Sequence, residues 1–319
     1  MKSAVAAIAL AAVVVGACGA PPPEGESVRV QIPRGATLAA ITDSLYQYQI
    51  ITTPRWFRLY TKVSGNERAI RAGVYDLHPR RPVPEVVGIL LAGSAAYQRL
   101  SLPEGLMLTE VAAQVERQLG LPAESVLAAA GDSTLLARLA PGATTLEGYL
   151  YPSTHHVALG ATARDVVAQL VAEFEARWKP EWDARLATLG FTRRELITLA
   201  SIIEGEVRHD RDRPYVSSVY HNRLRAGWRL QADPTVIYAL GRRRRLFERD
   251  YQTPSAYNTY QIDGLPPGPI GQPSAASIAA ALYPAKTDFF FLVAQGDGQH
   301  VFSRTLREHL AAVERIRAR

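Results

Sequence analysis

The side chains best placed for chemistry are two acids, Glu204 and Glu206, at the end of the run Leu199-Ala-Ser-Ile-Ile-Glu-Gly-Glu-Val207. The residues before them are apolar on nearly every side of a helix, and burying an unpaired charge is costly. A carboxyl desolvated in such a place is expected to titrate higher than usual, which makes it a candidate general acid/base. At about 100° per residue the core direction runs through Leu196, Ala200 and Ile203, and the two acids fall on opposite borders of that face. Helical spacing therefore does not choose between them. The alternative is that both are ordinary helix-end acids paired with Arg208 or Arg211. A metal site built from Glu204, Glu206, His209 and Asp210 lacks the His-x-x-x-His spacing of helical zinc sites. His155 and His156 are adjacent, so they do not supply that spacing either. No metal and no cofactor is expected.

The helix that must carry these acids has a readable start. Thr192-Arg-Arg-Glu195 is a capping box, and Leu196, Ile197, Leu199, Ala200, Ile202 and Ile203 cover most of the circumference behind it, the pattern of a buried helix. Pro214 opens the next helix, with Val216, Val219, Tyr220 and Leu224 inward and Gly227 just past its end. Ser274 caps a helix running to Leu282. Phe289–Ala294, the turn Gly296-Asp-Gly298 and His300–Ser303 predict a β-hairpin, and Thr305-Leu-Arg-Glu308 caps the last helix.

Toward the N-terminus a strand–turn–helix pattern occurs twice. Val28–Ile32 alternates apolar and polar, turns at Pro33 and Gly35, and leads into Leu38, Ile41 and Leu45. Leu100–Leu102 does the same, turning at Pro103 and Gly105 before Leu108, Val111 and Val115. Two copies are too few for a solenoid and fit a small α+β module. A strand at Ala72–Leu77 and a helix from Val83 to near Gly93 lie between them. The loose stretch Ala140-Pro-Gly142 predicts the domain boundary. The expected organisation is a leader and spacer over 1–24, an N-terminal α+β domain over 25–139 and a mainly helical domain over 140–319.

The chain has 319 residues, 36 basic and 30 acidic, for a net charge of +6. That balance fits general solubility or attraction to an anionic surface such as lipid head groups. No nucleic-acid motif accompanies it, and nucleic acid is set aside as a partner. The lone Cys18 excludes an intrachain disulfide. Met1-Lys2, the apolar run Ala4–Val15 and Val15-Gly-Ala-Cys18 predict an export signal or N-terminal anchor, with Cys18 in the setting of a lipidation site. Twelve or so apolar residues are short for a spanning helix, which needs about 20. Either way the bulk of the chain is expected outside the cytoplasm, tethered to a membrane.

Several polar segments punctuated by Pro and Gly follow the two acids, as binding loops usually are. Ala200-Ser-Ile-Ile-Glu204, Leu230-Gln-Ala-Asp-Pro-Thr-Val236, Tyr257-Asn-Thr-Tyr260 and Leu265-Pro-Pro-Gly268, together with Leu146-Glu-Gly-Tyr-Leu-Tyr-Pro152, Tyr283-Pro-Ala-Lys286 and His300-Val-Phe-Ser303, resemble the endolytic murein transglycosylases of bacteria, the MltG/YceG-like family. The resemblance runs in order from about residue 28 to the C-terminus. It implies an extracytoplasmic enzyme anchored to the cytoplasmic membrane, with a LysM-like N-terminal region and a catalytic domain, acting on nascent peptidoglycan glycan strands beside peptidoglycan synthases. It also implies that Glu204 is the catalytic residue. Glu204 would protonate the oxygen of the N-acetylmuramic acid–β-1,4–N-acetylglucosamine link and take a proton from the muramic C6 hydroxyl, leaving a 1,6-anhydro end. One carboxyl then suffices, where ordinary glycosidases need two, because the substrate supplies its own positioned nucleophile.

Gln231, Asp233, Tyr257, Asn258 and Tyr260 are the expected substrate-cleft residues, each with loop stabilisation as its alternative. Glu147 is expected to be structural or to line the cleft. Arg242–Arg245 is expected to form a solvated hairpin tip, with contact to stem-peptide carboxylates as the other option. The chain departs from the family at Gly205, where Lys is frequent, and at Ser153, where Asp is frequent. The competing functional class is a non-catalytic peptidoglycan-binding protein of the cell envelope.

Overall fold

A computed structural model describes residues 27–33, 35–93 and 97–318. The leader and spacer expected over 1–24, with Cys18, lie outside the described residues. No helix among the described residues is long and apolar enough to cross a membrane.

The architecture is mixed α+β, with much helix and three separate two-stranded sheets. The chain divides into two compact units: the described part of Met1–Ala96 with Ala158–Gly160, and Tyr97–Val157 with Ala161–Arg319. The smaller unit contains β1 (Val28–Ile32), α1 (Leu38–Gln47), α2 (Pro54–Val63), β2 (Gly73–Leu77) and α3 (Val83–Ala92). Strands β1 and β2 pair antiparallel, Val28 opposite Leu77 and Ile32 opposite Gly73. One face of this ribbon and the apolar stripes of the helices bury Val30, Leu45, Phe57, Tyr75, Val86 and Leu90 together. Thr37 caps α1, its hydroxyl accepting from Ala40 N at 3.2 Å.

The larger unit begins with β3 (Tyr97–Ser101), α4 (Leu108–Leu119), α5 (Ala123–Ala129), α6 (Ser133–Leu139), β4 (Thr154–Ala158), α7 (Ala163–Arg177) and α8 (Pro180–Leu189). It continues with α9 (Arg193–Glu206), α10 (Arg213–Arg225), α11 (Asp233–Ala239), α12 (Ala275–Leu282), β5 (Phe291–Ala294), β6 (His300–Ser303) and α13 (Leu306–Arg317). The late hairpin forms as expected, Phe291 opposite Ser303 and Ala294 opposite His300. The capping box of α9 is present, Thr192 N donating to Glu195 at 2.8 Å and Thr192 Oγ1 accepting from Glu195 N at 3.2 Å. Every residue from Leu196 to Ile203 is buried, so α9 is the central helix of this core.

The structure places the division between units near residue 96, where the sequence reading expected it near 140. Strand β3 pairs with β4, and Leu100, Leu108, Val111 and Val115 join the same core as Tyr149, Leu196 and Ile197. Ala140-Pro-Gly142 is a loop within that unit, where Ala140 itself is buried. The two strand–turn–helix copies both form, and each belongs to a different compact unit.

Candidate active site

Glu204 lies in the last turn of α9 with only 7% of its side chain exposed. Its charge is compensated from two sides. Arg213, in the first turn of α10, donates from Nη1 to Glu204 Oε2 at 3.0 Å. Ser274, the N-cap of α12, donates its backbone N–H to the same oxygen at 2.9 Å and its hydroxyl as well. The carboxylate thus faces the N-terminal end of α12, where the helix dipole favours negative charge. Glu204 Oε1 has no hydrogen-bond partner among the described residues. One oxygen is held by three donors, and the other is left to act.

Arg213 is itself fixed. Its Nε donates to Asp210 at 2.9 Å, and its Nη1 also reaches the Ser277 hydroxyl. Neither Arg208 nor Arg211 pairs with Glu204; the cation comes from the next helix.

The turn of the second strand–turn–helix copy meets this carboxylate. Gly105 has φ +72°, and a Cβ there would stand 3.5 Å from Glu204 Cγ. Gly105 N donates to Gln272 O at 2.7 Å, and Gln272 N donates to Leu106 O at 2.9 Å. Gly271 permits this approach: a Cβ there would lie 2.8 Å from the carbonyl of Gly105. Glu104, next in the turn, has its pKa raised by partial burial and by the negative charge of Glu204, opposed by Arg213. A second carboxyl therefore shares the electrostatic surroundings of the first.

Glu147 lies behind this turn, 6% exposed. Both its oxygens accept from Leu108 N at 3.0 Å, at the start of α4. Gln272 donates to it at 2.6 Å and the Tyr238 hydroxyl at 3.3 Å. Burial pushes its carboxyl up to about 7. Glu147 thereby closes the α4 N-terminus and, through Gln272, holds the segment that reaches Ser274. The turn that carries Glu147 requires glycine next: Gly148 has φ +87°, and a Cβ there would lie 2.5 Å from Pro269.

Glu206 is occupied elsewhere. Tyr220 donates to it at 3.3 Å, and His300 Nε2 lies 3.8 Å from it. His300 Nδ1 lies 3.2 Å from Asp212. Burial pulls the imidazole pKa down, but Glu206 and Asp212 outweigh it and raise it. Gly205 separates the two acids because α11 packs there; a Cβ would lie 2.7 Å from Pro234.

None of the five expected cleft residues is a hydrogen-bond partner of Glu204. Asp233 and Tyr260 do come together, the tyrosine donating at 2.7 Å, with Tyr251 at 3.5 Å. Burial raises the pKa of Asp233 against the pull of the Tyr260 hydrogen bond. Asp233 lines a cavity of about 290 Å³ with Gly205, Glu206, Arg208 and His300. Gln231 is exposed at φ +48°, its N–H donating to Thr259 O at 3.1 Å. Tyr257 packs against Tyr238, ring centres 4.8 Å apart, on the Glu147 side. Asn258 fits the loop-stabilising alternative. It is fully buried, donates to the carbonyls of Tyr251 and Thr253 and accepts from Tyr260 N, so its polar atoms hold its own loop.

Arg242–Arg245 is largely exposed, as expected, but no strands flank it, so it is not a hairpin tip. Arg243 pairs with Glu110 at 2.7 Å and donates to Gly105 O, and Arg244 forms a two-pronged bridge to Asp250 at 2.6 and 2.7 Å. No group of three or more His, Cys, Asp or Glu placed to hold a metal occurs among the described residues.

The sequence reading missed Arg213, Glu104 and Gln272. Ser274 was legible as a helix cap, but not as a donor to Glu204. The only signal for Arg213 was its place beside a helix-opening proline.

The YceG-like family model matches residues 30–315. The endolytic murein transglycosylase of Bacillus subtilis (strain 168) is 31% identical over 305 residues, covering 91% of this chain and 84% of that protein. The protein of the same name from Streptococcus pneumoniae serotype 2 is 27% identical, covering 88% of this chain and 57% of that one. A crystal structure of a yceG-like protein from Listeria monocytogenes superposes with a TM-score of 0.62 at 31% identity, covering 90% of this chain and 99% of that one.

Proposed function

The chain belongs to the YceG-like family, and from that premise we propose that it is an endolytic lytic transglycosylase of peptidoglycan with Glu204 as its catalytic residue. The observation that carries the reading is the asymmetry of that carboxylate: Oε2 is held by Arg213 and Ser274, while Oε1 is open. Protonated on Oε1, Glu204 gives its proton to the glycosidic oxygen as the bond from that oxygen to the muramic anomeric carbon breaks. The three donors on Oε2 stabilise the carboxylate left behind. The muramic C6 oxygen then bonds to the anomeric carbon, and its proton returns to Oε1. No water is consumed and the enzyme ends as it began. Such proton transfers contribute roughly 10²–10⁴-fold.

Asp233, Tyr260, Gln231 and Tyr257 are proposed to line the glycan cleft, with Asn258 shaping the Tyr260 loop from behind. The described part of 25–139 is proposed to include a LysM-like region preceding the catalytic domain. The N-terminal segment is proposed to tether the protein to the outer face of the cytoplasmic membrane, where nascent strands and their synthases are.

Incubating the protein with uncrosslinked glycan strands and weighing the products tests the reading. Internal cuts with anhydro ends, lost in Glu204→Gln by about 10²-fold or more, are expected. Products one water heavier would make the protein a hydrolase, and absence of any cleavage would make it a binder.

A further inference from the structure

Helix α2 carries three distinct stripes. At about 100° per residue, Phe57 and Thr61 share one direction, and both are buried. Arg58, Lys62 and Arg55 follow around the helix, all exposed. Leu59, Val63 and Trp56 come next, 55%, 80% and 48% exposed. The helix contains no acidic residue, and its three cations have no salt-bridge partner among the described residues.

An apolar stripe that faces solvent usually marks an interaction surface. Here it runs directly beside a stripe of long cationic side chains, whose stems can lie along apolar surface while the charged heads reach outward. Tryptophan at such an edge favours the boundary between hydrocarbon and water. Helix α13 shows that exposed leucines alone do not make this pattern. Its Leu306 and Leu310 are exposed, but Glu308 and Glu314 share the helix with its arginines.

We propose that α2 is a membrane-surface helix, laying Trp56, Leu59 and Val63 among the head groups of an anionic bilayer with Arg55, Arg58 and Lys62 on the lipid phosphates. The charge complementarity selects the partner: cations without acids beside an apolar stripe match anionic lipid. A glycan strand could meet the Trp56 ring and, through its carboxylates, the cations, but it offers no hydrocarbon for the exposed Leu59 and Val63 to enter. This surface is independent of the reaction assigned to Glu204 and of any anchor in residues 1–26.

The test uses the full chain with vesicles of phosphatidylglycerol whose acyl chains carry bromine, which quenches nearby tryptophan, and with matching phosphatidylcholine vesicles. The chain has four tryptophans, none of them in residues 1–26, so an inserted N-terminus adds no tryptophan signal of its own. Quenching in the anionic vesicles is expected to exceed that in the zwitterionic ones. Trp56→Phe should remove that excess. The triple variant Arg55→Glu, Arg58→Glu, Lys62→Glu should remove it while keeping Trp56, with unchanged far-ultraviolet dichroism showing that the fold is intact. Equal quenching by both lipids, an excess that survives Trp56→Phe, or a Trp56 response to soluble glycan strands in place of anionic vesicles would overturn the proposal.

Discussion

The two strand–turn–helix copies share a backbone and differ in what surrounds their turns. In the first, Pro33-Arg-Gly35 joins β1 to α1; in the second, Pro103-Glu-Gly105 joins β3 to α4. Gly35 and Gly105 have nearly the same conformation, φ +75° and +72°. A Cβ at Gly35 would meet nothing within 4 Å among the described residues, and one at Gly105 would meet Glu204. The helix starts differ as well. Helix α1 is closed by its own Thr37, whereas α4 is closed by Glu110 and by Glu147, which arrives from 39 residues away. The helix start of the first copy is closed locally, although its strand pairs with the distant β2. The second is built into its surroundings by long-range hydrogen bonds, and that is where the candidate catalytic carboxylate is found.

The sharpest way to break this contrast is to remove what compensates Glu204. Arg213→Met leaves a buried carboxylate without its cation, and such a loss typically costs about 3–5 kcal/mol. A fall of that size in denaturant stability at neutral pH, together with loss of anhydro products, is expected. Stability within experimental error of wild type would show that Arg213 does not carry the charge balance.

Glu147 sharpens the comparison of the two helix caps. Its folded pKa, about 7, lies above the ordinary carboxyl value of 4.5, so folding takes up a proton between these values. The associated stability is fully present below about pH 4.5 and is lost as pH rises through 7, on the order of 3 kcal/mol at one pKa unit per 1.36 kcal/mol. Glu147→Gln should flatten that part of the stability–pH curve. Thr37→Ala in the first copy should cost about 1 kcal/mol at every pH. Parallel pH curves for wild type and Glu147→Gln would refute the assignment.

The smallest effect compares the glycines directly. Alanine at either position must adopt a left-handed conformation, at a cost of roughly 1–2 kcal/mol. Gly35→Ala and Gly105→Ala should therefore lose similar stability. Only Gly105→Ala should also slow strand cleavage, by about tenfold or more, since small misplacements at a reacting group are amplified in rate. Equal rates for the two variants would mean that the second turn only fills space.

Much of the fold was legible because its signals are local. Thr192 with Glu195, Ser274 and Thr305 mark helix starts through bonds spanning three residues. The hairpin Phe291–Ser303 announces itself by an apolar, aromatic-rich run and a Gly-Asp-Gly turn. The buried circumference of α9 followed from its composition. The domain division was not legible, because Pro and Gly at 141–142 look the same in a loop on a core as in a linker between cores. By type and loop setting Asn258 fits either a ligand-facing amide or a loop-holding one; only its neighbours show that its hydrogen-bonding atoms are engaged within the loop.

By itself the sequence determined that an acid-ended buried helix exists, and family resemblance pointed to Glu204. Helical periodicity could not separate Glu204 from Glu206, since both border the same face. Tertiary structure gave each a different environment: Arg213 and the α12 N-terminus for Glu204, Tyr220 and His300 for Glu206. The reason is physical. Whether a helix is buried depends on the residues within it, but the state of a buried charge depends on donors and cations brought from as far as 70 residues away. No local pattern encodes which of them will arrive.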